Sequence, residues 1–280
     1  MNGWQNKWPA PAKVNLMLRI TGRKDDGYHL LQTVFQLTDW CDWLTFESLS
    51  ADKVCLVDSM PGVPDASNLV VRAALALKEF SNERRGVAIH LEKNLPMGGG
   101  LGGGSSNAAT TLVVLNHLWG LGLSTQQLMQ VGVKLGADVP VFIFGHAAWA
   151  EGVGEQLQSI QIPEKWLVIV KPDCHVDTGE IFSQKELTRN SKSITIADFI
   201  EGQHQNDCTD VVRKLYQPVD QALLDLSQYA ESRLTGTGAC VFAEFDQKQE
   251  AMHVCDRLSD RWQVYVAKGM NRSLLLDLLI

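Results

Sequence analysis

Six of the seven residues from Gly98 to Gly104 are glycine, within the run Pro96-Met97-Gly98-Gly99-Gly100-Leu101-Gly102-Gly103-Gly104-Ser105-Ser106. Glycine loses more backbone freedom on folding than any other residue, so a cluster this dense needs a physical reason. Close approach of backbone amides to a ligand is one such reason. A strand pattern precedes the run at residues 87–92, and a helix pattern follows at 108–119. Amides gathered at a helix N-terminus, with the positive end of the helix dipole behind them, form an anion site suited to a polyphosphate. The glycines are expected to need positive φ or open space beside the backbone, Gly103 among them. A flexible linker is the competing reading, but linkers rarely lead into a helix with N-caps as good as Ser105-Ser106-Asn107.

Two well-known phosphate loops do not fit. Gly98, Gly100 and Gly103 satisfy G-x-G-x-x-G, but a dinucleotide site also wants an acidic residue about 20 positions on, and residues 118–123 supply none. A Walker A loop needs a lysine before its Ser or Thr, and Gly104-Ser105-Ser106 has none.

Other side chains carry chemistry only if the fold gathers them. Lys13 opens an alternating stretch, where a lysine is most often a solvated charge; Asn15 shares its parity and so its face. Asp138 stands in Gly136-Ala137-Asp138-Val139-Pro140, where it either caps the next segment or serves as a base. Tyr28 and His29 follow a turn at Lys24-Asp25-Asp26-Gly27. Gly236-Thr237-Gly238 is a second glycine turn, between a helix and a strand.

The elements that must position these residues follow from periodicity. Residues 14–20, 30–37, 43–47 and 87–92 read as strands, and 68–80 and 108–119 as helices, the latter stopped by Gly120. Ser124 with Gln127 forms a capping box for a helix ending at Gly136, and 139–144 is a short apolar run. Glu151-Gly152-Val153-Gly154 breaks the rhythm. Beyond it, 166–170, 239–245 and 262–267 read as strands, and 218–230 and 247–258 as helices. This mixed order favours an α+β fold over a doubly wound parallel sheet. A chain of 280 residues is one large domain or two ordinary ones, and the boundary is set at residues 1–160 and 161–280.

Composition narrows the classes of function. Hydrophobic residues make up 45%, enough for a substantial core, and no apolar stretch approaches the length of a membrane span. The net charge is −7 with no basic stripe, so neither a nucleic acid nor a membrane is expected as partner. Residues 1–13 lack the apolar core of a signal peptide. The six cysteines are scattered without C-x-x-C or metal-ligand spacing, which suits reduced thiols in a cytoplasmic protein. No protein metal site is expected.

With these residues in view, the chain resembles the GHMP-superfamily kinases. Residues 96–109 are similar to that superfamily's phosphate loop, P-x-x-x-G-L-G-S-S-x-A. Pro11-Ala12-Lys13-Val14-Asn15-Leu16, Gly27-Tyr28-His29, Gly136-Ala137-Asp138-Val139-Pro140 and Leu234-Thr235-Gly236-Thr237-Gly238-Ala239-Cys240 also match, in family order. The set resembles most the branch that phosphorylates 4-diphosphocytidyl-2-C-methyl-D-erythritol, where a glycine at position 104 is usual.

The resemblance implies a two-domain fold. The first domain would be like ribosomal protein S5 domain 2, the second ferredoxin-like, with the site in the cleft between them. It implies transfer of a phosphoryl group from ATP to the 2-hydroxyl of that small-molecule substrate, on the non-mevalonate route to isopentenyl diphosphate. Residues 96–106 would bind ATP. Asp138 would be the base, and Lys13 would hold it ionised while offsetting charge on the moving group. Asn15 would contact substrate. Tyr28 and Phe182 would stack on the cytosine, and His29 would read its polar edge. Phe35 would line the methylerythritol pocket or pack in the core. Mg2+ is expected to arrive with ATP, touched by Ser105 or Ser106 through phosphate or water. Homoserine- and mevalonate-type kinases are the rivals, and the Gly27-Tyr28-His29 segment weighs against them. A relative that binds nucleotide without catalysis is weighed against by the presence of both Lys13 and Asp138.

Overall fold

The computed structural model describes residues 3–25, 27–58 and 64–279. Asp26, in the turn expected before Tyr28, lies outside the described residues, as do Met1 and Asn2. The spine is an antiparallel ribbon of β1 (Trp8–Arg23) and β2 (His29–Leu49). β2 is one strand where the sequence suggested two. Its register explains the apparent break: Pro11 faces Cys41 but Lys13 faces Leu37, so β2 bulges over the residues between and its alternation is lost there. β1 alternates in sequence, yet every residue from Trp8 to Leu18 is buried. Both of its faces are covered, because it runs through all three apolar cores of the molecule.

The first core joins Trp8 and Ala10 to β4 (Gly86–Glu92), α1 (Leu69–Ser81) and α2 (Gly103–Leu118). α2 is buried continuously from Ser106 to Leu115, as a helix apolar on most sides must be. It ends at a left-handed Gly120, as the sequence suggested. β3 (Val54–Leu56) runs parallel to β4 at the sheet edge. The Ser124–Gln127 capping box forms, and α3 (Thr125–Gly132) stops short of Gly136. The apolar run is a short helix, α4 (Val139–Phe144). A hairpin of β5 (Ala148–Glu151) and β6 (Gln156–Ser159) flanks β2; its four-residue strands are too short to announce themselves by period.

The second half runs β7 (Trp166–Lys171), α5 (Thr178–Ser183), α6 (Ile196–Ile200), α7 (Thr209–Leu215), α8 (Gln217–Ser227), β8 (Ser232–Leu234), β9 (Val241–Phe245), α9 (Lys248–Leu258) and β10 (Gln263–Met270). Its strands order as β10-β7-β9-β8, all antiparallel, which is the split arrangement of a ferredoxin-like unit. Gly269 and Met270 of β10 pair with Thr38 and Leu37 of β2, so one sheet passes through both halves. The chain then re-enters the first half: α10 (Leu274–Asp277) seats Leu275 in the first core. Between the halves, the third core packs Val14, Leu16 and Met17 against Leu101 on one side and Ile169 and Phe242 on the other. The strand pairs are antiparallel apart from β3·β4, and the architecture is α+β.

Candidate active site

The glycine loop is built by alternation. Gly98, Gly100 and Gly102 are left-handed, with φ of 70°, 73° and 71°, while the glycines between them are not. α2 starts at Gly103, with Gly102 as N-cap and no side-chain cap. Ser105, Ser106 and Asn107 therefore lie inside the helix rather than capping it. Gly103 does not need positive φ, contrary to expectation. A Cβ added there would meet Leu95 and Lys93 at 3.4 Å, an ordinary contact. The amides of Gly103, Gly104 and Ser105 form the first turn, where intrahelical partners are lacking.

Part of the need for glycine is internal. A Cβ on Gly100 would stand 2.5 Å from the Thr235 carbonyl oxygen and 2.8 Å from that of Gly238. The second glycine turn thus packs backbone to backbone on the first. Ala239 N–H donates to the Gly98 carbonyl at 3.3 Å and Cys240 N–H to that of Gly99 at 3.2 Å. Lys13 N–H donates to the Leu101 carbonyl at 3.0 Å, which ties the loop to β1. The loop is a fixed wall.

A cavity lies on each side of that wall. The smaller, about 360 Å³, is lined by Pro96, Met97 and the whole loop from Gly98 to Ser105, with Lys93 and Leu69 opposite. The larger, about 580 Å³, is lined by Lys13, Asn15, Phe35 and Asp138 at one end and by Thr178 and Phe182 at the other. Gly98, Gly100 and Ser105 belong to both. Ser106 belongs to neither; it is fully buried and its hydroxyl has no partner. His175 lines the larger cavity beside Gly98.

Lys13 and Asp138 meet there. Asp138 occupies the N-cap position of α4 but makes no side-chain cap bond; its carboxylate Oδ2 lies 3.2 Å from Lys13 Nζ. Of the two roles open to it in the sequence, capping is therefore unused. The Lys13 side chain is 3% exposed and that of Asp138 is 36%. Nζ of Lys13 also donates to Asn15 Oδ1 at 2.7 Å and to the Gly100 carbonyl at 2.9 Å, and it sits 5.4 Å from the Phe35 ring centre. A buried ammonium needs such partners, and here they fix its position. Asn15 donates its amide to Thr33 Oγ1 at 2.9 Å, so both ends of its side-chain amide are engaged where it lines the larger cavity.

At the far end of the cavity, His29 lies against Phe182, ring centres 4.8 Å apart and planes at 30°. The structure thus places His29 beside Phe182. Tyr28 is 66% exposed, and neither it nor His29 is in the cavity wall. Asp177 caps α5 by accepting from Glu180 N–H at 2.8 Å, which sets the helix that carries Phe182. Burial, then the charges of Arg189 and Arg23, hold the His29 imidazole below its ordinary 6.5.

Two supporting groups were not legible beforehand. Asp42 is fully buried and accepts from Asn94 N–H and Leu95 N–H at 2.7 Å each and from Asn107 Nδ2 at 2.8 Å, while pairing with Lys93. It anchors the entry to the glycine loop and the first turns of α2. Arg189 braces the far end, donating to the carbonyls of Phe182 and Gln184 at 2.9 and 2.6 Å. Asp42 acts on groups more than 50 positions away in sequence, and Arg189 on carbonyls seven and five positions before it. Among the described residues, no cluster of His, Cys, Asp or Glu could hold a metal ion.

An amide-lined wall with a charged Lys–Asp pair beside it, between two cavities of small-molecule size, is the layout of a phosphotransferase acting on a small substrate. The comparisons agree. The chain matches the GHMP kinases N terminal domain over residues 68–146 and the GHMP kinases C terminal domain over 185–264. It is 57% identical over 272 residues to the 4-diphosphocytidyl-2-C-methyl-D-erythritol kinase of Methylococcus capsulatus, covering 97% of this chain and 94% of that one. The same kinase from Nitrosococcus oceani is 55% identical, with 97% of each chain covered. A crystal structure of 4-(cytidine 5'-diphospho)-2C-methyl-D-erythritol kinase superposes with a TM-score of 0.84 at 28% identity, over 95% of this chain and 99% of that one. A homoserine kinase from Cytophaga hutchinsonii, at 17% identity and a TM-score of 0.67 over 95% of each chain, shares the fold. The chain belongs to the GHMP kinases, in the family of the 4-diphosphocytidyl-2-C-methyl-D-erythritol kinases.

Proposed function

We propose that the protein transfers the γ-phosphoryl group of ATP to the 2-hydroxyl of 4-diphosphocytidyl-2-C-methyl-D-erythritol, with ATP in the smaller cavity and the acceptor in the larger. The observation that carries this reading is the 3.2 Å Lys13–Asp138 pair, set beside the glycine wall that the two cavities share. The first-turn amides of α2 and the dipole behind them hold the phosphates. Asp138, partly exposed to the larger cavity, takes the proton of the acceptor hydroxyl as its oxygen bonds to the γ-phosphorus and the bond to ADP breaks. Lys13 holds the Asp138 carboxylate in place through their 3.2 Å ion pair and offsets charge on the group in transit. Ser105, which lines both cavities, would contact a Mg2+ ion brought in with the nucleotide, and that ion would neutralise phosphate charge.

The acceptor extends from Asp138 past Phe35 and Thr33 toward Phe182, with its cytosine stacked on Phe182 and its polar edge read by His29. Tyr28 covers the base from outside. The product feeds the non-mevalonate route to isopentenyl diphosphate. Six free thiols suit the reducing cytoplasm, where we place the protein.

A phosphoryl-transfer assay with ATP and, in parallel, the cytidyl substrate, homoserine and mevalonate tests the reading. Turnover of the cytidyl substrate alone is expected. Turnover of either rival at a comparable kcat/KM, with the cytidyl compound inert, would overturn it.

A further inference from the structure

The contact between Arg189 and His29 says more than that the loop is braced. Arg189 Nε donates to His29 Nε2 at 3.1 Å. A guanidinium has only donors, so Nε2 must present its lone pair, and the proton of a neutral imidazole must then sit on Nδ1. Arg189 is itself held: Nη1 donates to the Leu187 carbonyl at 3.1 Å, and Nη2 to those of Phe182 and Gln184. The His29 ring cannot easily turn over, because Phe182 lies against its face at 4.8 Å.

We propose that Arg189 is a specificity-positioning residue: by fixing the Nδ1–H tautomer of His29, it makes that imidazole a donor toward the base of the substrate and so selects cytosine over uracil. The inference rests on the reading of His29 as the group that meets the base. Cytosine offers an acceptor at its ring N3, whereas uracil carries a proton there. A donor on Nδ1 pairs with the first and is left facing another donor with the second. The opposite tautomer would present a lone pair and reverse the preference. Stacking by Phe182 or Tyr28 is blind to this difference. The base code therefore lies in the position of one proton, and Arg189, 160 residues away in sequence, sets it.

The test combines spectroscopy with kinetics on the full chain. The ring nitrogens of His29 are observed by long-range proton–nitrogen NMR in the wild type, Arg189→Met and Arg189→Lys. kcat/KM is measured for the cytidyl substrate and its uridyl analogue. We expect the wild type to show the Nδ1–H form, and Arg189→Met to show a mixture. In Arg189→Met the cytidyl-over-uridyl preference should narrow by about tenfold or more, through KM for the acceptor, with KM for ATP unchanged. Arg189→Lys, which keeps a donor, should recover much of the preference.

A brace with no effect on the tautomer would weaken both bases equally and leave the ratio intact, and that result overturns the inference. So does an Nε2–H form in the wild type, a measurement that does not depend on any variant folding. Equal use of both bases by the wild type would instead remove the cytosine pocket itself, and the selectivity assigned to Arg189 with it.

Discussion

Asn15 Oδ1 accepts from Lys13 Nζ at 2.7 Å, a shorter contact than the 3.2 Å from the same nitrogen to Asp138. Asn15 is itself held by Thr33 and by its own N–H on Thr235 Oγ1 at 3.0 Å. It thus orients the lysine from a rigid mount. Asn15→Leu should lower kcat by about ten- to a hundredfold, the worth of a hydrogen bond to a charge, with KM for ATP little changed. A variant with full kcat would mean that Gly100 and Asp138 suffice to place Nζ.

Asp138→Asn keeps the shape of the side chain and removes the base. Turnover should fall by about 100- to 10,000-fold while ATP binding, followed by titration calorimetry, stays near wild type. Lys13→Met should lower kcat much more than it weakens ATP. More than a tenth of wild-type turnover in Asp138→Asn would remove Asp138 from the base role.

The glycines of the loop should divide sharply. Gly100→Ala places a methyl group on two backbone oxygens and forces a left-handed residue, so ATP affinity and melting temperature should both fall. Gly103→Ala meets only ordinary contacts within a helix, where alanine gains about 0.5–1 kcal/mol over glycine, so it should fold at least as well as wild type. Equal damage from the two, by calorimetry and ATP titration, would contradict the account of the loop as a wall.

Removing Asp42 strands a lysine and several amide donors in the interior. Asp42→Ala should cost about 3–5 kcal/mol of stability in denaturant unfolding. A loss below a third of that would mean the loop entry is held by its packing.

Three imidazoles titrate low. His29, His146 and His204 are each held below their ordinary 6.5, burial being the largest cause in every case. The folded state then binds fewer protons than the unfolded one, so stability is complete above about pH 6.5 and declines as pH falls toward the lowered values. Carboxylates such as Glu83, pulled down to about 2, add their own loss only below their ordinary 4.5. Melting temperature should therefore begin to drop between pH 6.5 and 5, and His204→Gln should shrink that early decline. A flat profile over this range would show that these histidines titrate normally.

Much of this was legible in the residues. Period and caps located α1, β4, β7, α8, α9 and the capping box of α3 to within a few positions, because each is set by local chemistry. β2 was not legible as one strand, since its bulge is fixed by register against β1 and by pairing with the end of the chain. The start of α2 was misplaced because serines that look like caps are overruled by backbone closure from Ser106 to Gly102 at 2.8 Å. The loop stood out through its density of glycines, and Lys13 and Asp138 through the resemblance to the GHMP kinases. Asp42 and Arg189 did not, because a buried carboxylate and a bracing arginine have no signature until distant segments meet.

The return of the C-terminal segment to the first core also bears on how the chain is made. A ribosome delivers β1, β2 and α2 early, yet Leu275 and the β10 rung on Leu37 and Thr38 emerge last. The half that is synthesised first is thus finished last, and until then it holds an unfilled seat for α10. Nascent chains stalled before Leu275 should remain open to protease in the first half, and release of the final residues should close both halves together.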